Sequence, residues 1–231
     1  MIKLVAFDLD GTLLDTAQDF FLAVNTLRER YGIEKANFNE VRSRVSEGAI
    51  SLASYAMRID KDKELQEELI ENGLSIQNKD LEYYRLELLD IYKDCSIENT
   101  SLFEGIDLVL NSLNKQNMCW GIVTNKPKFF AIDIVEATLG VYNPAFLICP
   151  DDTGKRKPSP DGLLLACKRT NSLPEESIYI GDHSIDIIAG RAAGMKTVAA
   201  AYGYVPLKED VCDWKADYIA DSPIKILEII S

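Results

Sequence analysis

Short apolar runs punctuate the chain at both ends of its length. Ile2 to Phe7 is broken only by Lys3, and after residue 100 the runs Met118–Val123, Phe146–Cys149, Ile178–Ile180 and Thr197–Ala201 follow one another. Runs this short, separated by stretches of helical periodicity, predict strands in βαβ units. Helices are expected at Gly162–Arg169 and from Ser184 onward, and the apolar stretch Ile224–Ile230 is expected to pack. Between the first strand and the later units the pattern differs. A helix is predicted from about Ala17, where Phe20, Phe21, Val24 and Leu27 recur at helical spacing, to Tyr31-Gly32. Helical spacing continues from about 38 to 92, through Val41, Val45, Leu52 and Met57, then Leu65, Leu69, Ile70 and Leu74, then Leu81, Tyr84, Leu88 and Ile91. The expected architecture is therefore α/β. One parallel sheet is built from residues 1–15 and 96–231, and residues 16–95 form an all-helical insertion. The connections near Leu14–Thr16 and Lys93–Leu102 are poor in Gly and Pro, which predicts hinges in place of loose tethers.

Composition narrows the partners. With 25 basic and 37 acidic side chains in 231 residues the formal charge is −12, which opposes contact with nucleic-acid backbones and anionic membranes. Five cysteines form no Cys-x-x-Cys pair and are odd in number, so neither a zinc knuckle nor a disulfide framework is expected. The chain begins in a strand without a charged leader and holds no apolar stretch long enough to span a bilayer, so a soluble, unexported, cytoplasmic protein is expected. A two-lobed chain of this charge is expected to be a monomer or a weak homodimer.

Four strand ends bear groups suited to phosphate chemistry. Asp8 and Asp10 flank Leu9 where the first strand runs out, and residues i and i+2 of an extended chain face the same side before Gly11-Thr12 turns the chain away. Two close carboxylates favour a divalent cation such as Mg2+, which takes oxygen ligands and commonly a substrate phosphate. An acidic turn would use the same residues. Thr124 follows Trp120–Val123 and precedes Asn125-Lys126-Pro127, fit either to hydrogen-bond an anion or to cap a helix. Lys157 lies in a basic cluster, Lys155-Arg156-Lys157, and either balances the carboxylates or is solvated. Gly181-Asp182 ends another strand, with Asp186 four residues on in the first turn of a helix, either completing an oxygen-ligand site or serving the turn and the helix dipole. Taken together, two Asp pairs, one Thr and one Lys at four sheet-end junctions are hard to assign to turns alone.

These residues resemble the four motifs of the haloacid dehalogenase superfamily, in order: Asp8-x-Asp10-Gly11-Thr12, Thr124, Lys157-Pro158 and Gly181-Asp182-x-x-x-Asp186. The resemblance spans nearly the whole chain. It implies a Rossmann-like three-layer core with a parallel sheet, and likens residues 16–95 to that superfamily's inserted helical cap domain. Leu13-Leu14-Asp15-Thr16, Phe103-Glu104-Gly105, Val123 to Pro127 and Ala189 to Gly194 are most similar to the phosphoglycolate-phosphatase-like group. Val41-Arg42, Ser46 to Ala49, Arg156-Lys157-Pro158 and Tyr202-Gly203-Tyr204 also resemble N-acetylmuramic acid 6-phosphate phosphatases.

The implied activity is Mg2+-dependent hydrolysis of a small phosphorylated metabolite, such as 2-phosphoglycolate or a sugar phosphate. In it Asp8 is the nucleophile that becomes an aspartyl-phosphate, and Asp10 protonates the leaving oxygen and then activates water. Thr124 and Lys157 stabilise charge, and Gly11, Thr12 and Asn125 complete the phosphate site. Asp8, Asp10 through its carbonyl, Asp182 and Asp186 in support are assigned to the metal. His183, the only histidine, is expected at the rim, and Arg42, Arg44 and Ser46 are expected to be solvated unless lobe closure brings them to a substrate carboxylate. A phosphomutase of the beta-phosphoglucomutase type would keep all these residues. A dehalogenase would not need Asp10.

Overall fold

The four residues of the first strand, Leu4–Phe7 (β1), are wholly buried, as a strand covered on both faces must be. In the computed structural model, which describes residues 2–59, 81–207 and 209–230, β1 lies in the middle of a six-stranded sheet. Its neighbours are Cys119–Val123 (β4) and Ser177–Gly181 (β6), then Leu147–Ile148 (β5) beyond β4, and Lys196–Ala200 (β7) and Tyr218–Ala220 (β8) beyond β6. Every pairing in the sheet is parallel. Phe7 is in register with Ile122 on one side and Ile180 on the other, so the residues just beyond β1, β4 and β6 emerge along one edge. The chain leaves β1 toward β4 and β5 and then crosses back to β6. That reversal of strand order next to β1 is where an open α/β sheet forms a crevice.

Side chains alternate between the two faces of the sheet. Leu4 and Ala6 face the side where Val123, Ile148 and Tyr179 meet Leu163, Ala166 and Ala189, from helices Asp161–Thr170 and Ser184–Ala193. Phe7 faces the other side, edge-on to Trp120 with ring centroids 6.1 Å apart. The Trp120 indole N–H donates to Asn114 Oδ1 at 2.9 Å, fastening helix Ile106–Lys115 over that face. Helices on both faces make the fold a three-layer, Rossmann-like α/β core. The strands extend or shorten the predicted runs by a residue or two. β8 was not foreseen, because three residues among charged neighbours give no periodicity, and its place depends on pairing with β7.

The chain divides into two compact units, Met1–Asp15 with Ser101–Ser231, and Thr16–Thr100. Where the sheet unit is interrupted, Leu14–Asp15 (β2) pairs antiparallel with Ser101–Leu102 (β3). The second unit is helical in its described residues: Ala17–Arg30, Phe38–Arg42, Ala49–Ala56 and Leu81–Cys95. The expectation built on Leu65, Leu69, Ile70 and Leu74 lies outside the described residues. Phe20 stacks flat on Tyr92 at 4.0 Å, joining the first and last of these helices. The buried Arg28 guanidinium donates to the carbonyls of Tyr55 (2.8 Å) and Ala56 (3.1 Å), which end helix Ala49–Ala56. Residues 96–100, expected with the sheet, group with the helices. The cause is Asp19, fully buried, which accepts from the Asn99 main-chain N–H (2.9 Å), the Asn99 amide (3.0 Å) and the Thr100 hydroxyl (2.7 Å). Among the described residues, no helix is long and apolar enough to cross a membrane.

Asp19→Ala removes a fully buried carboxylate and leaves those three part-buried hydrogen bonds unmade. It is expected to lower stability by about 2 to 4 kcal/mol, read from urea unfolding midpoints.

Candidate active site

Asp8, Thr124 and Asp182 are each the first residue beyond a strand end, after Phe7, Val123 and Gly181. Asp8 is tied down by its own N–H, which donates to Ile180 O at 2.9 Å. Asp182 is fully buried and held at both oxygens. Oδ1 accepts from the Thr12 hydroxyl (2.9 Å) and Oδ2 from the Tyr204 main-chain N–H (3.0 Å). Two glycines make this possible. Gly11 has φ +82°, and a Cβ there would fall 2.1 Å from Asp182 Oδ2. A Cβ on Gly203 would fall 2.2 Å from Gly11 O. Any side chain at either position collides with the carboxylate's seat.

Lys157 Nζ lies 2.8 Å from Asp8 Oδ1 and 2.6 Å from Asp186 Oδ1, and donates to the Tyr179 hydroxyl at 2.9 Å. The Tyr179 hydroxyl in turn donates a hydrogen bond to Val123 O at 2.8 Å. Burial would lower the ammonium's pKa, but Asp186 and Asp8 outweigh it, and the pKa is raised. Burial pushes the Tyr179 phenol well up, so it stays protonated. For Asp8 burial dominates over the opposing pull of Lys157, and with the nearby Asp186 charge it holds the pKa up at about 6.

One oxygen each of Asp8, Asp182 and Asp186 lie within 4.8 Å of one another, all three residues buried. Asp8 Oδ1 is buried with no hydrogen bond, since the nearby ammonium meets it as an ion pair out of hydrogen-bond alignment. Three carboxylates around one ammonium leave an excess of negative charge and an unsatisfied oxygen. That donor set fits a hard divalent cation.

Asp10 is not in the carboxylate group: its oxygens lie 3.0 and 3.1 Å from Lys126 Nζ, which draws the side chain away. Its expected metal role is therefore confined to its carbonyl. Thr124 is buried, and its hydroxyl accepts the Lys126 N–H at 3.2 Å, leaving its proton for an anion. Thr124, Asn125 and Lys157 line one shallow depression. Hydrogen bonds within the chain engage the remaining candidates. Asn125, expected at the phosphate, spends its side chain on Lys157, accepting its N–H (2.7 Å) and donating to its carbonyl (3.2 Å). Gly11 and Thr12, expected to turn the chain so that backbone donors can approach a phosphoryl group, direct their own N–H groups to Leu14 O (2.9 Å) and Leu9 O (3.4 Å), and the Thr12 hydroxyl serves Asp182. His183 starts helix Ser184–Ala193, its N–H donating to Asp186 Oδ2 at 3.1 Å and its Nδ1 accepting from Ile185. Sequence reasoning assigned no role to Lys126, Tyr179 or the Tyr204 N–H. A lysine directly after Thr124-Asn125, at a strand end in an acidic protein, was the one available signal.

The fold and this cluster suit the hydrolysis of phosphate esters, and comparison with known proteins points to that class. The family model described as haloacid dehalogenase-like hydrolase matches residues 5–200. An N-acetylmuramic acid 6-phosphate phosphatase of Pseudomonas putida is 36% identical over 230 residues, covering 99% of this chain and 96% of its own. A phosphoglycolate phosphatase of Xanthomonas campestris is 33% identical over 226 residues, covering 98% and 95%. A crystal structure from Haemophilus somnus, described as a predicted phosphoglycolate phosphatase, superposes with a TM-score of 0.85 at 25% identity, covering 100% of this chain and 98% of that one. The chain belongs to the haloacid dehalogenase-like hydrolase family. Within it, the chain is an enzyme of the phosphoric monoester hydrolase class.

Because the folded pKa of Asp8 is above its ordinary 3.8, the folded state binds the extra proton. Stability from this source is full below the unfolded pKa and is lost as pH rises through the folded one. In EDTA, the wild type is expected to lose about 3 kcal/mol relative to Asp8→Asn between about pH 4 and pH 7. Added Mg2+ is expected to restore much of this at neutral pH. Chemical denaturation at each pH checks both.

Proposed function

We propose that the protein is a Mg2+-dependent phosphomonoesterase that acts on a small phosphorylated metabolite through a phosphorylated Asp8. The reading rests on Asp8 being buried at the strand end, 2.8 Å from Lys157 and grouped with Asp182 and Asp186. A carboxylate approaching a phosphate dianion meets repulsion, which the site must cancel. Lys157 and the Thr124 hydroxyl offset part of it. Asp8, Asp182 and the Asp10 carbonyl would hold Mg2+, with Asp186 in support, and the cation would neutralise phosphoryl charge when bound.

Asp8 attacks phosphorus in line as the bond from phosphorus to the ester oxygen breaks, and Asp10 gives its proton to that oxygen. Asp10 then takes a proton from water as the water oxygen attacks the phosphorus. The bond to Asp8 breaks, releasing inorganic phosphate and restoring both carboxyl groups. Asn125 holds the main chain of Lys157, and Tyr179 fixes its ammonium, so the cation faces Asp8 without rearrangement. Selection of the leaving group is assigned to the helical unit, the part the resemblance likens to a cap. There Arg44 pairs with Glu40 at 2.7 Å and lies over the Tyr55 ring, roles within its own unit. Five free thiols support a reducing cytoplasm.

The substrate class is a small phosphate monoester, 2-phosphoglycolate or a sugar phosphate. N-acetylmuramic acid 6-phosphate is the second reading, favoured by two relatives of that name at 36% and 35% identity against 33% for the phosphoglycolate phosphatases. Phosphate release from both compounds, with Mg2+ and with EDTA, decides between them. One of them is expected to turn over with Mg2+ only, and Asp8→Asn is expected to lower kcat at least about 1000-fold. Turnover that survives chelation would overturn the reading, and a positional isomer formed in place of inorganic phosphate would replace it with a phosphomutase.

A further inference from the structure

Asp8 and Asp10 lie two residues apart just beyond the end of β1, yet only Asp8 joins the carboxylate group with Asp182 and Asp186. Left to electrostatics, a fourth carboxylate this close would be drawn to the same cation. Lys126 opposes that. Its ammonium reaches both Asp10 oxygens, at 3.0 and 3.1 Å, with the two side chains only 4% and 14% exposed. An ion pair so shielded is weakly screened and holds its geometry, unlike one on the surface. The lysine is itself anchored. Its main-chain N–H donates to the Thr124 hydroxyl, the Thr124 N–H donates to Ile148 O at 3.0 Å, and Pro127 leads directly into helix Lys128–Thr138. The ammonium therefore comes from a fixed point at the end of β4, and it bridges to the turn after β1 across 116 residues of sequence.

We infer that Lys126 is a positioning residue that sorts the four carboxylates, holding the Asp10 side chain for proton transfer and keeping its carboxylate, though not its main-chain carbonyl, out of the cation's ligand set. The inference rests on the phosphatase reading for the role of Asp10, and its electrostatic half is testable without turnover. With Lys126 gone, Asp10 swings toward the cation, where it adds negative charge and is lost to catalysis. Lys126 acts through Asp10, so its effect vanishes where Asp10 is already neutral.

The test is a double-mutant cycle of Lys126→Met and Asp10→Asn with two readouts, Mg2+ affinity by thermal shift and steady-state hydrolysis. Lys126→Met is expected to bind Mg2+ at least about 3-fold more tightly, and the gain is expected to disappear in the double variant. In turnover, Lys126→Met is expected to lower kcat at least about 10-fold with KM within about 2-fold, to add nothing to Asp10→Asn, and to be largely rescued in Lys126→Arg. Lys126→Arg also serves if the methionine variant does not fold, since an Arg that keeps the pair must keep kcat. Unchanged or weaker Mg2+ binding, a rise in KM alone, or a further loss of kcat in the Asp10→Asn background would each overturn the inference. A wild type that binds Mg2+ but releases no phosphate sinks the phosphatase reading alone, and the metal arm of the cycle still decides the role of Lys126.

Discussion

One buried ammonium organises the edge of the sheet where this protein has its chemistry. Lys157 faces Asp8 at the end of β1 and Asp186 in the helix after β6, and through Tyr179 it is linked to the last carbonyl of β4. Three separate strands are thus referred to a single positive charge. A buried ammonium is tolerated only when paired and fully hydrogen-bonded. Lys157 is hydrogen-bonded to Asp186 and the Tyr179 phenol and ion-paired with Asp8, and Asn125 fixes its main chain from the side. The same condition keeps Asp8 from relaxing. Its carboxylate sits where water is scarce and is repelled by Asp186, so its pKa stands at about 6 despite the opposing pull of the ammonium.

Two lysines divide four carboxylates between them in a chain of formal charge −12. Lys157 partly neutralises the group that suits a cation, and Lys126 takes Asp10. Such segregation matters because carboxyl groups a few ångströms apart otherwise share protons and cations indiscriminately. In the mechanism proposed above, geometry that assigns each its counter-charge separates the nucleophile from the neighbour two residues away that handles protons. The glycines at 11 and 203 serve the same end by steric means. They leave the backbone close enough to Asp182 that its two oxygens are both claimed and its direction is fixed.

Most of the sheet was legible in the sequence because a central parallel strand must be apolar on both faces, and runs such as Leu4–Phe7 and Ile178–Ile180 are too short and too evenly apolar to suit a half-exposed element. The side chains at the strand ends were legible for a related reason: carboxylates, a threonine and a lysine recur just where those runs stop. What stayed hidden was what those groups bond to. Asn125 looks like a ligand-binding amide and is a clamp on Lys157. Tyr179 looks like a core aromatic, and its hydroxyl alone shows it to be part of the site. The Tyr204 contribution is a main-chain N–H, which leaves no mark in the residue type. The edge strand β8 and the grouping of residues 96–100 with the helices were likewise invisible, since both follow from partners distant in sequence, β7 and Asp19.

The two-residue ladder between β2 and β3 has an architectural consequence. Leu14 pairs with Leu102 and Asp15 with Ser101, and the Phe103 N–H reaches back to Leu13 O at 3.1 Å, so the departing and returning chains are stitched side by side within the sheet unit. Loop closure costs little more for a long excursion than for a moderate one. The stitch therefore works as a docking port: whatever polypeptide is spliced between Asp15 and Ser101, the sheet unit closes on its own side of the splice. Its strand order is then independent of the module that interrupts it.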